Sequence, residues 1–220
     1  MFRSLAFVAF LAALSVAPVS VRADLVQTFS SAAPLTPTNS SGVISLPKFD
    51  SSLGSLEAVL ISLSGHVEGT ARYESMNASP RTVTLKLAAQ IDLKDDQNNL
   101  ISSTLPLVSF TSAASAYDGV LDFGGTSGHT YANLSADNSA PLHNYTNPVD
   151  LAKFIGNDML SFPLVATGAS SGTGPGNIVY QFSTATSASV EIQYTYAPAP
   201  EPAGLAMLLL AAVRLRRRRR

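Results

Sequence analysis

The segment VLISLSGHVEGTARY, residues 59–73, alternates apolar or small side chains with polar ones along its whole length. Successive side chains of a β-strand point to opposite faces of a sheet, so this alternation predicts a long strand with one face in a core. The core face would hold Val59, Ile61, Leu63, Gly65, Val67, Gly69, Ala71 and Tyr73. The wet face would hold Ser62, Ser64, His66, Glu68, Thr70, Arg72 and Glu74.

The next segment, VTLKLAAQIDL at residues 83–93, alternates in the same way. Its core face would carry Val83, Leu85, Leu87, Ala89, Ile91 and Leu93. The connection at residues 76–80 is too short for a crossover, which predicts that the two strands pair as an antiparallel hairpin or meander. Asp95–Asn99 is the following turn.

The rest of the chain contains short strand patterns between segments rich in Gly and Pro. Residues 30–42 and 111–147 are predicted to be mostly loop, and residues 149–154 favour a single helical turn. Residues 160–167 read as an edge strand because they contain Pro163, and residues 178–182 and 190–196 as two closing strands. Many strands and few helices predict an all-β fold, an antiparallel β-sandwich of jelly-roll-like or Ig-like type.

The amino-terminal residues match a secretory signal peptide. Arg3 supplies a positive charge, Leu5–Ala17 is apolar, and Ala23 is the expected cleavage position. The sandwich domain would then be residues 24–196, with six basic and fourteen acidic residues and a net charge of −8. This charge argues against nucleic acid as a partner, and the absence of cysteine excludes disulfides and thiol chemistry.

Residues 197–220 form a tail with three successive parts. Pro200-Glu201-Pro202 belongs to an extended spacer, residues 203–213 are apolar, and Arg216, Arg217, Arg218, Arg219 and Arg220 form a cationic block. As a helix the apolar run would span roughly 16 Å, about half of a ~30 Å hydrocarbon core. It is therefore expected to be a short hydrophobic sorting helix that enters the membrane transiently, with the arginines on the cytoplasmic side.

This order of Pro-Glu-Pro, apolar run and arginine block resembles the PEP-CTERM sorting signal. The resemblance implies recognition and cleavage by an exosortase-like membrane protease, which passes the protein to the cell surface. It also implies a Gram-negative bacterium that makes extracellular polysaccharide. The apolar run is shorter than in many tails of this kind.

The sandwich domain resembles the choice-of-anchor E family through several short motifs in order. They comprise Lys48-Phe49-Asp50, Leu53-Gly54-Ser55-Leu56, Asp122-Phe123-Gly124-Gly125-Thr126-Ser127-Gly128, Phe154-Ile155-Gly156 and Ile192-Gln193-Tyr194-Thr195-Tyr196. That family varies its C-terminal anchor, and the resemblance implies no catalytic residues.

No set of residues in the sequence matches a catalytic or metal-binding pattern. His66, His129 and His143 lack metal-ligand spacing, and no Gly-x-Ser-x-Gly motif occurs. The oxygen-rich segment around Asp95–Asn99 lacks the spacing of a calcium loop and is expected to be an ordinary turn. Asp118 and Asp122 are the acidic pair that a glycosidase reading would use.

These observations predict an exported structural protein of the cell surface or extracellular matrix, with no catalysis, cofactor or metal. The alternative is a module that binds extracellular polysaccharide, for which Tyr117, Tyr131 and Tyr145 are the loop aromatics available to stack on sugars. A surface glycoside hydrolase is the weaker alternative.

Overall fold

The structure is a computed structural model and describes residues 23–199. Nearly all of this range is β-strand. The strands are β1 (Leu25–Pro37), β2 (Ser40–Pro47), β3 (Gly54–Ser75), β4 (Arg81–Lys94), β5 (Leu100–Thr104), β6 (Leu107–Ala114), β7 (Gly128–Ser139), β8 (His143–Tyr145), β9 (Met159–Gly168), β10 (Ser171–Thr173) and β11 (Ile178–Pro198). One α-helical turn, α1 (Pro148–Leu151), runs into a 3-10 turn at Ala152–Phe154, as the sequence predicts, and a second 3-10 turn lies at Ser51–Leu53.

The strands form two antiparallel sheets. In sheet 1 the order is β1–β11–β3–β7, and β8 continues the β7 edge along β3. In sheet 2, β4 is central: β5 and β6 follow one another along one side of it, and β9 and β10 along the other. Strand β2 pairs with the other side of β9 and forms one edge of sheet 2. The fold is therefore all-β with two packed antiparallel sheets, which confirms the predicted β-sandwich.

Strand pairing is nested along the chain. The first strand, β1, pairs with the last, β11, and β2 pairs with β9. Inside these, β3 pairs with β7 and β8, and β4 pairs with β5 and β6. The innermost connection is the turn at Asp95–Asn99. The chain thus behaves as one long antiparallel ribbon whose two halves are wrapped into the two sheets.

The two diagnostic alternating segments face the core but do not pair with each other. Strand β3 belongs to sheet 1 and β4 to sheet 2, so the predicted hairpin is wrong. Their connection at residues 76–80 can extend by about 17 Å, which exceeds the ~10 Å between packed sheets, so it crosses from one layer to the other. Alternation specifies which face of a strand is buried, whereas the neighbour depends on the whole topology.

The predicted inner faces of both segments are nevertheless correct. Ile61, Leu63, Leu87 and Ile91 are completely buried. The main core combines side chains of both sheets, among them Ile44 and Phe162 of sheet 2 with Val190 and Ile192 of sheet 1. A smaller cluster around Tyr73 and Leu85 fills the far end of the sandwich.

The predictions for several other segments, which used proline and glycine as loop signals, were wrong. Residues 111–147, expected to be mostly loop, contain strands β7 and β8. Residues 30–42 form most of β1 and the start of β2 rather than a loop, because β1 is an edge strand and its register shifts between Ala33 and Thr36, around Pro34. Strand β9 lies inside sheet 2 between β2 and β4, so the predicted edge position is wrong. Pro163 is tolerated there because it lies opposite Val43 of β2, whereas the pairing of β9 with β4 ends at Leu164. The two predicted closing strands are one continuous strand, β11.

Candidate functional site

Two of the short sequence motifs meet at one end of the sandwich, which we call the exit end. The backbone N–H of Phe49 donates to the Phe154 carbonyl at 2.8 Å, and the N–H of Gly156 donates to the Phe49 carbonyl at 3.0 Å. Phe49 is fully buried, and its ring packs against Tyr194 and Tyr196 with centroids 5.8 and 5.0 Å apart. These contacts join two motifs that lie about a hundred residues apart in the chain.

The same motif residues hold the last described residues of the chain. Pro198 pairs with Gly54, and the N–H of Ala199 donates to the Leu53 carbonyl at 2.8 Å. Gly54 has φ +152°, and a Cβ there would overlap the Ala197 carbonyl oxygen, so a glycine is needed. The Asp50 carboxylate accepts from the Ser52 N–H at 2.8 Å, which lowers the pKa of Asp50.

An ion pair closes the exit end at its rim. The Lys48 ammonium lies 3.0 Å from Asp158 Oδ1, and its hydrogen bond lowers the pKa of the Asp158 carboxyl. A Cβ on Gly156 would come within 2.8 Å of Asp158 Oδ1 and 3.2 Å of Lys48 Cδ. The glycine of this motif therefore makes room for the pair.

A groove of about 390 Å³ opens beside this ion pair. Its polar lining includes Lys48, Asp95, Asp96, Lys153 and Asp158, and its apolar lining includes Tyr145, Phe154 and Phe162. Glycoside hydrolysis needs one carboxylic acid that remains protonated until it donates its proton. Asp158 is paired with a lysine. Burial acts to raise the pKa of Asp95, but hydrogen bonds from Asn99 and Gln97 outweigh it, so the net pKa is lowered. The geometry gives neither of these two groups the properties of a general acid.

The carboxylate of Asp95 organises its own turn. Its Oδ1 accepts from the N–H groups of Gln97 and Asn99 at 3.0 and 2.7 Å, and its Oδ2 accepts from the Asn99 side chain at 2.9 Å. This is the ordinary turn that the sequence predicts. Within residues 23–199, no three His, Asp or Glu side chains are arranged to hold a metal ion.

The motif at residues 122–128 lies at the opposite end, which we call the loop end. Ser127 Oγ donates to Glu74 Oε1 at 2.6 Å, and both residues are fully buried. A Cβ on Gly128 would overlap Glu74 Oε2. The predicted wet-face position of Glu74 is therefore wrong, because this loop folds over the end of β3. A strand pattern alone contains no signal for such a covering loop.

The remaining residues of this motif shape the loop. Phe123 and Gly125 have φ of +58° and +61°, and the Arg72 guanidinium lies 4.5 Å from the centroid of the Phe123 ring. Asp122 Oδ1 accepts from the Gly124 N–H at 2.8 Å, whereas Asp118 accepts from Val120 and Thr126. The Asp118–Asp122 pair suggested for a glycosidase is thus engaged in two separate turns.

The three histidines lie in separate surroundings. His66 Nδ1 is 2.7 Å from Asp137 on the outer face of sheet 1, and this hydrogen bond raises the pKa of His66. His129 packs on Tyr131, and His143 packs on Tyr145, with ring centroids 4.2 and 4.6 Å apart. Strand pairing places His143 beside Ile61 and His129 beside Tyr73, which lie five and seven residues from His66 along β3, so the three histidines are far apart on sheet 1.

The tyrosines considered for sugar stacking do not form a platform. Tyr117, Tyr131 and Tyr145 are each half-buried. Tyr131 lies against Phe110, and Tyr145 lies against Phe154, with centroids 4.3 and 4.9 Å apart. Among residues 23–199 no Phe or Tyr side chain is fully exposed.

The sorting residues Pro200, Glu201, Pro202 and Arg216–Arg220 lie outside the described residues, as do the predicted signal peptide up to Arg22 and the apolar run of the tail. Ala23 is the first described residue and is exposed. Between residues 23 and 199 no helix has the length and apolarity required to cross a bilayer.

The observations above define an all-β sandwich without a recognisable reaction centre in the described part of the chain. No protein-family model matches the chain, and no curated protein does. Among solved structures it is similar to the infectious bursal disease virus Gx strain, at 10% identity and TM-score 0.25, covering 86% of this chain and 48% of that one. It is also similar to the structure of Desmodium yellow mottle tymovirus, at 9% identity and TM-score 0.25, covering 92% of this chain and 97% of that one. The structure of Mud crab tombus-like virus is similar at 10% identity and TM-score 0.26, covering 95% of this chain and 97% of that one. The chain spans about half the length of the first of these.

Proposed function

We propose that the protein is a structural component of the cell surface or extracellular matrix of a Gram-negative bacterium. It is exported by the signal peptide of residues 1–23 and sorted by an exosortase-like membrane protease that acts on residues 197–220. The body then belongs to the choice-of-anchor E type and performs no catalysis. The tail motif is the origin of this proposal, and the geometry of the exit end supports it.

One observation carries the proposal most directly. The last strand ends at Pro198, and the last described backbone hydrogen bond comes from Ala199, immediately before Pro200-Glu201-Pro202. A cut near Glu201 would leave every described hydrogen bond of the sandwich in place. The motif residues Leu53 and Gly54 pair with the backbone just before this position. The role of the family motif would then be to fix the point at which the tail leaves the sandwich.

The nested pairing supports a finer fold assignment, the jelly roll. In a jelly roll an antiparallel ribbon of eight strands wraps into two four-stranded sheets. Here β5 with β6, β7 with β8 and β9 with β10 each act as one interrupted strand, which leaves eight strands in two sheets of four. The Ig-like alternative does not have this nesting of first with last strand.

Intact mass of the surface-exposed protein tests the sorting proposal. The mature protein should lack Arg216–Arg220, with the break near Glu201. Deleting the five arginines should leave export intact but release material into the periplasm or medium. The matched control replaces the five arginines with lysines, which keeps the positive charge and separates charge from recognition of arginine. A surface protein that retains all five arginines would contradict processing and leave the tail as an anchor.

The second candidate is a polysaccharide-binding module, and the groove at the exit end is the observation that favours it. Charged and amide side chains line the same groove as Tyr145, so one sugar unit could be bound there by hydrogen bonds without an exposed aromatic platform. A glycan-array signal lost in Tyr145→Ala but kept in Tyr131→Ala would support this function. No binding to any glycan would reject it without affecting the sorting proposal.

A further inference from the structure

The four free edges of the two sheets differ in how they are protected against pairing. In sheet 1, β1 carries Pro34 and Pro37 and a register shift. The other edge carries Asp137 and a second register shift opposite Gly69 and Ala71, beside Asn133 with φ +57°. Prolines, bulges and charges are the features that prevent a sheet edge from pairing with another chain.

Sheet 2 has none of these features along two of its edge strands. Strands β2 and β6 are each eight residues long, contain no charged residue and have no register shift. Neither contains proline except Pro47, the last residue of β2. Among the described residues, β2 and β6 make backbone-to-backbone hydrogen bonds only on the sides facing β9 and β4, and the Pro47 carbonyl at the end of β2 accepts from the Tyr194 hydroxyl. The sandwich has a net charge of −8, so uncharged edges are where a second copy would meet the least repulsion.

The direction of the strands determines which edges can meet. Across sheet 2 the order β2, β9, β4, β6 alternates in direction, because each neighbouring pair is antiparallel. The two edge strands β2 and β6 therefore run in opposite directions. Through β9, Ser40 is level with Ile91 of β4, whereas β6 is level with Arg81–Ala88 of β4. A second copy without rotation therefore places its β2 antiparallel to β6 of the first when it is shifted sideways and also by about ten residues, roughly 33 Å, along the strands.

We propose that a second copy of this chain adds its β2 to β6, which extends sheet 2 from head to tail. The two strands have the same length, so full overlap places Ser40 opposite Ala114 and Pro47 opposite Leu107. Such a heterologous contact does not close on itself and generates a filament.

Side chains agree with this register on both faces. On the inner face, Ile44 is buried and Phe110 is half-buried, and they fall opposite each other. On the outer face, Val43 is 63% exposed and falls opposite Thr111, while Ser45 falls opposite Ser109. A register shifted by one residue would bring inner-facing and outer-facing side chains together, so it is excluded. Small hydroxyl and β-branched side chains suit cross-strand pairs.

Pairing between copies depends only on the edge strands of sheet 2 and is independent of the proposed sorting of the tail. It can fail while the tail is processed as proposed, and it can hold if the tail is never cut.

The natural absence of cysteine allows a direct test by disulfide cross-linking of the full chain in detergent. Residues directly opposite on antiparallel strands have Cβ atoms about 4.5–5.5 Å apart, near the distance that a disulfide spans. The double variant S45C/S109C should give a ladder of multimers under mild oxidation. An equimolar mixture of S45C and S109C should give mainly a dimer, at least about tenfold more than either single variant alone, the ratio expected for ~1.4 kcal/mol of specific pairing.

The matched control is T28C/S109C, which places the first cysteine on the protected edge strand β1 at an exposed position. Association through the tail would raise cross-linking equally in both double variants. A ladder confined to S45C/S109C supports head-to-tail pairing. Equal ladders in both double variants, a monomer in both, or S45C alone forming as much dimer as the mixture would each overturn it.

Discussion

The exit end and the loop end are both built from motif residues, but different interactions hold them. At the exit end Phe49 contributes a buried ring and two backbone hydrogen bonds, and the only ion pair of this motif lies at the rim. At the loop end Glu74 is a fully buried carboxylate: Oε1 accepts from Ser127, and Oε2 has no hydrogen-bond partner among the described residues. Backbone hydrogen bonds occur at both ends, for example from the Ser75 N–H to the Ser127 carbonyl at the loop end. The comparison teaches that aromatic packing distinguishes the end from which the tail leaves, whereas a buried hydrogen bond to a carboxyl group distinguishes the other.

The largest expected effect comes from Phe49→Ala. Removing a fully buried phenylalanine typically costs about 3–5 kcal/mol of unfolding free energy, because a cavity remains. This ring also supports Tyr194, whose hydroxyl donates to the Pro47 carbonyl at 2.8 Å. Urea unfolding of the variant should show this loss. Val149→Ala, at a side chain that is 76% exposed, serves as control and should stay within ~0.5 kcal/mol. A cost below that of a surface substitution would refute the role of packing at the exit end.

The second prediction concerns the buried hydrogen bond between Ser127 and Glu74 at the loop end. Ser127→Ala removes the donor to Glu74 and should cost about 1–3 kcal/mol, since a buried acceptor would lose its hydrogen-bond partner. The matched control is Ser64→Ala, because Ser64 and Ser139 form an exposed hydroxyl pair at 2.9 Å and water can replace the partner. Adding Glu74→Gln should reduce the effect of Ser127→Ala. Equal losses in Ser127→Ala and Ser64→Ala would show that the buried bond has no special weight.

The sequence predicted the inner faces of these strands well because alternation is a local property. Val59 to Tyr73 and Val83 to Leu93 face the core as expected. The partner of each strand depends on distant segments: β3 pairs with residues 178–198, whose pattern is interrupted by the Ser, Thr and Ala of residues 183–189. Those small side chains were not apolar enough to indicate that β11 is continuous.

The candidate site could be predicted only in its parts. The motifs were visible as short segments, but the contact between Phe49 and Phe154 depends on strands β2 and β9 pairing side by side. Burial of Glu74 depends on a loop about fifty residues later in the chain. Periodicity reports the direction of a side chain from its own strand and contains no information on what covers it.

The smallest effect belongs to the Lys48–Asp158 pair at the exit end. The Asp158 side chain is 70% exposed, so the pair is well solvated and Asp158→Asn should cost far less than Phe49→Ala. The pKa of Asp158 is lowered from its ordinary value near 3.8 by the hydrogen bond from Lys48. A lowered folded-state pKa stabilises the fold above the unfolded-state value, and this stabilisation disappears as the pH falls through the lowered pKa. The difference in unfolding free energy between the protein and Asp158→Asn should therefore be constant near neutral pH and shrink below pH ~4. Lys48→Met should give the same acid dependence, and combining the two substitutions should add little. A difference in unfolding free energy that stays equal between neutral and strongly acidic pH would mean that Asp158 acts through packing instead of charge. The rim ion pair would then contribute nothing to the stability of the exit end.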